Sequence, residues 1–205
     1  MAVLKVLPYP NPFLRTRARS VEAFDEALEA TVKDMTETMA AEDGLGLAAT
    51  QVGIDARLLL INPYAFKGEE GRGQPDVVII NPEVVWKSEE TISAEEGCLS
   101  FPGVYIHVTR PKAIKIKAQD VKGEFFEIEA QDLGARALLH EIDHIEGVVM
   151  VDHVSHLVRS RALKKHQKLQ KEKAMDEAGP QRPGQRKPGA GKPTKKKTRQ
   201  KRRAR

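Results

Sequence analysis

The residues best suited to chemistry are His140-Glu141-Ile142-Asp143-His144, in a stretch whose apolar spacing predicts a helix. Four residues is about one helical turn, so both imidazoles project from one face and can grip a single divalent metal. Glu141, beside the first His, is placed to handle protons of an attacking water. The bland alternative is a surface or salt-bridged patch. Against it, Leu133, Leu138, Leu139, Ile142 and Ile145 cover the other sides of the helix. A buried His pair would then need some other partner for its polar atoms.

Two His ligands need a third. Met150 stands six residues after His144, where one group of zinc proteases needs a further His, so that pattern fails. A downstream Glu such as Glu172 would come from the edge of a strongly basic stretch. His153 and His156 stay open as ligands, although both lie beyond the turn at Gly147. The best remaining candidate is Cys98, in Glu95-Glu96-Gly97-Cys98-Leu99-Ser100. A lone Cys is usually a small buried hydrophobe, but this one sits among Gly and acidic residues. Cys plus two His leaves a fourth position for water, as a catalytic site requires.

The elements that must position these residues are predicted as follows. Ser20 caps a helix to about Glu42, with Phe24, Leu28, Val32, Met35 and Met39 as its apolar stripe. A Gly-rich turn, Gly44–Gly53, follows. Strands are predicted at Arg57–Ile61, Val77–Ile80, Glu83–Trp86, Tyr105–Val108, Ala113–Ala118 and Phe125–Ala130, with a hairpin turn at Asp120–Gly123 and a surface loop from Phe66 to Asp76. Asp132 caps the helix of the His pair, which ends at Gly147, and a last helix runs from His153 to Ala178. Strands do not alternate regularly with helices. The fold class is therefore α+β, with mostly antiparallel short strands around a central helix, and an N-terminal and a C-terminal helix beside it.

Charge divides the chain. Residues 161–205 hold 18 Lys/Arg against 3 Asp/Glu, a net of +15, while residues 1–160 carry a net of −10. The expected organisation is a catalytic metallohydrolase domain over 1–160, a basic helical extension over 161–178, and a disordered basic tail over 179–205 too poor in apolar residues to bury a core. One cysteine makes no internal disulfide. The start of the chain, broken by three prolines, does not read as a leader, and no apolar run approaches membrane-spanning length, so a cytoplasmic location and no membrane contact are expected.

Three segments together resemble the signature motifs of the peptide deformylases: Gly44-Leu45-Gly46-Leu47-Ala48-Ala49-Thr50-Gln51, Glu96-Gly97-Cys98-Leu99-Ser100 and His140-Glu141-Ile142-Asp143-His144. The likeness runs from about Val6 to Val158 and includes Asn11-Pro12-Phe13-Leu14-Arg15. It implies hydrolysis of the N-formyl group from the first methionine of new polypeptides, releasing formate. The implied cofactor is one divalent metal, Fe2+ first, with Zn2+, Ni2+ or Co2+ as substitutes. By resemblance Cys98, His140 and His144 are ligands, Glu141 the general acid/base, and Gln51 and the Leu99 N–H the holders of the oxyanion. Substrate contacts fall on Leu45, Gly46, Glu96 and Gly97, with Leu133 and Ala137 at the methionine pocket. Gly44 and Gly46 suit a close backbone approach, along which an extended peptide can pair as an added strand. Leu139 departs from the family, most of whose members carry Gln there.

The tail from Lys195 to Arg205 has no aromatic residue among its cations, which favours phosphate contact over base stacking. The partners expected are a formyl-Met nascent peptide and, through residues 161–205, ribosomal RNA. Two other readings compete with a deformylase: a zinc peptidase using His153 or His156, and an RNA-binding protein with a vestigial metal site.

Overall fold

The computed structural model describes residues 2–177, so the tail predicted as disordered lies outside the described residues. The chain folds as α1 (Glu26–Ala41), β1 (Gly46–Ala48), β2 (Leu58–Ile61), α2 (Tyr64–Lys67), β3 (Val77–Lys87), β4 (Thr91–Glu96), β5 (Ile106–Pro111), β6 (Ala113–Gln119), β7 (Phe125–Gln131), α3 (Asp132–Ile145) and α4 (His156–Glu177). Five strands form one sheet in the order β1-β2-β3-β6-β7, and β4 and β5 form a separate two-stranded sheet. Every pairing is antiparallel. The α+β class expected from the element order is the observed one.

Alternation along β2 shows how the layers form. Leu59 and Ile61 face a cluster shared with Leu138, Leu139, Ile142 and Ile145 of α3. Leu58 and Leu60 face the opposite cluster, with Leu28, Met35 and Met39 of α1. Each such aliphatic chain, fully buried, contributes about 2 kcal/mol relative to exposure. A third cluster holds Phe101, Ile106, Val108, Met150 and Val151, and Ala162 on α4 packs into it. His166 of α4 is buried there too, 2.7 Å from the carbonyl of Tyr9.

Several element boundaries differ from the predicted ones. The cap of α1 is Asp25, whose carboxylate accepts from the Leu28 N–H at 3.1 Å, and not Ser20. Residues before it stay out of the helix because Val21 is tied at both its N–H and its carbonyl to the side chain of Asn81, each at 2.9 Å. Val77–Ile80 and Glu83–Trp86 are one strand, with one register shift between Ile80 and Glu83, where Pro82 has no N–H to donate, and another between Val84 and Trp86. Asp132 does not cap α3: Gln131 is the cap residue and makes no side-chain bond, while Asp132 takes φ +49 as its N–H donates to Lys112. α4 begins at His156, because His153 closes a 3-10 turn (Met150–His153) and is held by Asp143 at 2.7 Å. The Phe66–Asp76 loop is partly helical, through the end of α2 and a 3-10 turn at Gly68–Gly71.

Two strands went unread in the sequence. β1 is three residues long and begins with glycine. β4, Thr-Ile-Ser-Ala-Glu-Glu, is too polar to announce itself and is a strand because β5 completes its ladder.

Candidate metal centre

α3 supplies His140, Glu141 and His144, one turn apart, with imidazole centroids 5.0 Å from each other. The turn after β4 supplies Cys98, whose Sγ lies 3.2 Å from His144 Nε2. One donor atom from each of Cys98, His140 and His144 lies within 4.8 Å of the others, and among the described residues no other His, Cys, Asp or Glu joins a group of this kind. His153 is turned toward Asp143, and neither it nor His156 reaches the cluster.

The surroundings fit a cation. Glu96 Oε2 sits 3.0 Å from His140 Nδ1, which leaves Nε2 as that ring's free donor. Thr50 Oγ1 donates to the carbonyl of His144 at 3.0 Å, pinning the end of α3. Glu141 is 4% exposed, and its Oε2 has no hydrogen-bond partner among the described residues. An orphaned carboxylate oxygen beside three converging donors is what a site for a metal and its water would leave. A thiolate and two imidazoles form a donor set that suits iron and zinc alike.

Electrostatics point the same way. Burial pushes the Cys98 thiol up, but His144 and His140 outweigh it and hold it well below its ordinary value, toward thiolate. Burial raises the Glu141 carboxyl, against the pull of the two imidazoles. Glu96 is opposed by burial yet falls to about 2, held by His140 and Arg110.

The centre opens into a cavity of about 580 Å³. Its walls include Leu45, Gly46, Gln51, Glu96, Gly97, Cys98, Leu99, Leu133, Ala137, His140 and Glu141, which brings the sequence-predicted residues together around one space; His144 lies just behind, 1% exposed. Gln51 is fixed at both ends: its Oε1 accepts from the Ala48 N–H at 2.9 Å, and its Nε2 lies 3.3 Å from Ser100 Oγ and 3.5 Å from Cys98 Sγ. Gly46 is required by space. A Cβ there would sit 2.5 Å from Glu141 Oε1. Leu139 is buried in the main core, so this position asks for apolar volume.

Sequence reasoning missed Arg110, Arg136, Ser100 and Tyr105. Tyr105 lies against Gly97 at the cavity mouth and is 59% exposed. A signal existed for the arginines. Period two puts Arg110 on the buried face of Ile106 and Val108, and Arg136 is one turn before His140 on the same helix face.

Comparison with known proteins agrees with this geometry. Residues 3–160 match the family model described as polypeptide deformylase. The peptide deformylase of Chromobacterium violaceum is 45% identical over 172 residues, covering 84% of this chain and 99% of that protein. Peptide deformylase 1B of Arabidopsis thaliana is 42% identical over 152 residues, covering 74% of this chain and 54% of that protein, so the chain spans about half the length of this plant relative. The crystal structure of a peptide deformylase from Legionella pneumophila superposes with a TM-score of 0.78 at 40% identity, over 84% of this chain and 98% of that one. The chain thus belongs to the polypeptide deformylase family.

Proposed function

We propose that this chain hydrolyses the N-formyl group of the initiating methionine at a metal held by Cys98, His140 and His144. The observation that carries the reading is the convergence of these three donors beside the buried carboxylate of Glu141 at the wall of one cavity. Ferrous iron is the native metal in this reading, with zinc, nickel or cobalt able to replace it. When bound, the cation lowers the pKa of a water and polarises the formyl oxygen.

The protein's own groups do the rest. Glu141 takes the proton of the attacking water and delivers it to the leaving nitrogen, a transfer helped by the burial that raises its carboxyl. The Gln51 amide and the Leu99 N–H are the fixed dipoles that meet the developing oxyanion. Among the described residues the Leu99 N–H donates to no main-chain carbonyl. Among the described residues β1 is an edge strand, paired only with β2, so an extended peptide can align on Leu45 and Gly46 as a further strand. Leu133 and Ala137, with Gly97 and Glu96, line the cavity that takes the methionine side chain in this reading.

The decisive experiment is an anaerobic assay of formate release from a formyl-Met peptide with metal analysis alongside. Turnover in the iron-loaded protein, lost in Glu141→Gln, and metal lost in Cys98→Ala are expected. No turnover, with Glu141→Gln indistinguishable from wild type, would overturn the reading.

The catalytic unit in this reading is 1–160, working in the cytoplasm, and the basic stretch 161–205 holds it near ribosomal RNA by phosphate neutralisation. Among the described residues no helix is long and apolar enough to cross a membrane. Removing residues 179–205 should weaken ribosome co-sedimentation at low salt and spare activity on a short peptide; unchanged co-sedimentation would refute the ribosome role.

A further inference from the structure

Cys98 and the two histidines arrive on elements that share no strand pairing. Cys98 follows β4 of the two-stranded sheet, whereas α3 packs on the five-stranded one. Their apolar faces also enter different clusters. Ile106 and Val108 of β5 join Phe101, Met150 and Val151, while the apolar residues of α3 join β2 and β6. Apolar contacts are non-directional, so they do not by themselves fix the register of the β4–β5 hairpin on α3. The donors must nevertheless meet within a few ångströms.

Two arginines cross the gap in opposite directions. Arg136 reaches from α3 to the hairpin, donating to Glu96 Oε1 at 2.6 Å and to the carbonyls of Ile92 at 2.7 Å and Val108 at 2.9 Å, one on each strand. Arg110 reaches back from β5, donating to both Glu96 oxygens at 2.5 and 2.9 Å and to Asp143 of α3 at 2.8 Å. Glu96 is the shared hub and also touches His140. The side chains of Arg110 and Glu96 are each 4% exposed and that of Arg136 is 11% exposed. Two guanidiniums face two carboxylates, so the charges balance.

We propose that Arg136 and Arg110 are positioning residues that set the hairpin's register on α3, and with it the place of Cys98 relative to His140 and His144. Buried ion pairs add little net stability over apolar packing of the same volume. What a guanidinium fork adds is direction: it fixes two planar groups in distance and angle, which a lysine point charge does not. A clasp built from both sides on one carboxylate constrains sliding and rotation together.

The inference rests on Cys98, His140 and His144 being a metal site, and its test separates the two. The full chain is stripped of metal, and Zn2+ affinity is measured by competition with a chromophoric chelator, with Co2+ absorption spectra and thermal unfolding of the metal-free protein alongside. Arg136→Lys and Arg110→Lys keep the charge and lose the fork. Asp143→Asn loosens one end of the clasp at a carboxylate 20% exposed, a change the fold should tolerate. Folded variants should bind Zn2+ roughly ten- to hundredfold more weakly and show altered Co2+ bands. Lysine variants that fold and match wild type in both readouts would overturn the proposal. Should they not fold, Asp143→Asn with wild-type Zn2+ affinity overturns it. A wild-type chain that binds no Zn2+, or a Cys98→Ala chain that binds as well as wild type, removes the metal site itself.

Discussion

Gly46→Ala tests the placement of Glu141 without altering a proposed ligand or the acid/base itself. Gly46 is not among the glycines with positive φ, so alanine brings no backbone strain. Its Cβ would lie 2.5 Å from Oε1, 2.8 Å from Cγ and 2.9 Å from Cδ of Glu141. Ordinary contact begins at 3.4 Å, so the carboxylate must retreat by about 0.9 Å. Glu141 is 4% exposed and cannot swing into solvent without leaving its place beside the donors. Misplacing a reacting group by about 1 Å costs on the order of a hundredfold in rate, equivalent to about 2.7 kcal/mol of barrier. The β1 ladder, in which Gly46 pairs with Ile61, uses only main-chain groups and should survive. The assay is kcat for formate release from a formyl-Met peptide, with metal content and unfolding midpoint measured on the same sample. The expected result is a kcat lowered about a hundredfold in a folded, metal-loaded protein. A kcat close to wild type under those conditions would refute the claim that Gly46 is there to make room for Glu141, and with it the position assigned to the acid/base.

Glu141→Gln should keep its metal, by direct metal analysis, and lose roughly 10²–10⁴ in kcat. Gly147→Ala should lower stability by about 2 kcal/mol in denaturant titration of the metal-free protein, because Gly147 has φ +75 and a Cβ there would meet the Arg15 carbonyl oxygen at 2.6 Å; an unchanged midpoint would contradict this. Asp152 is opposed by burial, but Arg15, the Val149 N–H and Arg159 hold its carboxyl below the ordinary 3.8. Its stabilising effect is therefore complete above that value and fades as pH falls through it toward the lower folded one. Asp152→Asn should cost about 1 kcal/mol near neutral pH, and the gap to wild type should shrink in acid; an equal gap at pH values well above and well below 3.8 would speak against this ion pair.

What the sequence made legible follows from the range of the forces involved. β5, β6 and β7 alternate with period two because one face of each is buried, and the β6–β7 turn is closed locally by the Asp120 carboxylate accepting from the N–H groups of Lys122 and Glu124. β1 is too short to show such a pattern, and in β4 the alternation rests on Ile92 and Ala94 alone, between polar residues. They are strands because a neighbour completes their hydrogen bonds, and a single sequence does not display a neighbour. The start of α1 was misread for a related reason: Ser20 is a good cap in isolation, but Asn81, 60 residues from Val21, holds that segment out of the helix.

The site divides along the same line. Two of its donors lie a helical turn apart on α3, and Cys98 is the chain's only thiol, so residue type and spacing were enough to nominate them. The groups that bring them together are separated by 14 residues for Arg110 and Glu96, 33 for Arg110 and Asp143, and 44 for Arg136 and Ile92. No motif spans such distances. Yet each arginine occupies a position where the local period calls for a buried side chain, Arg110 in line with Ile106 and Val108, and Arg136 in line with His140. A charge on the buried period is costly unless it is paired. Such a residue therefore announces that a partner of opposite sign must arrive from elsewhere in the chain. Here both arginines required Glu96, the carboxylate two residues before Cys98, and that requirement links the hairpin to the helix of the two histidines.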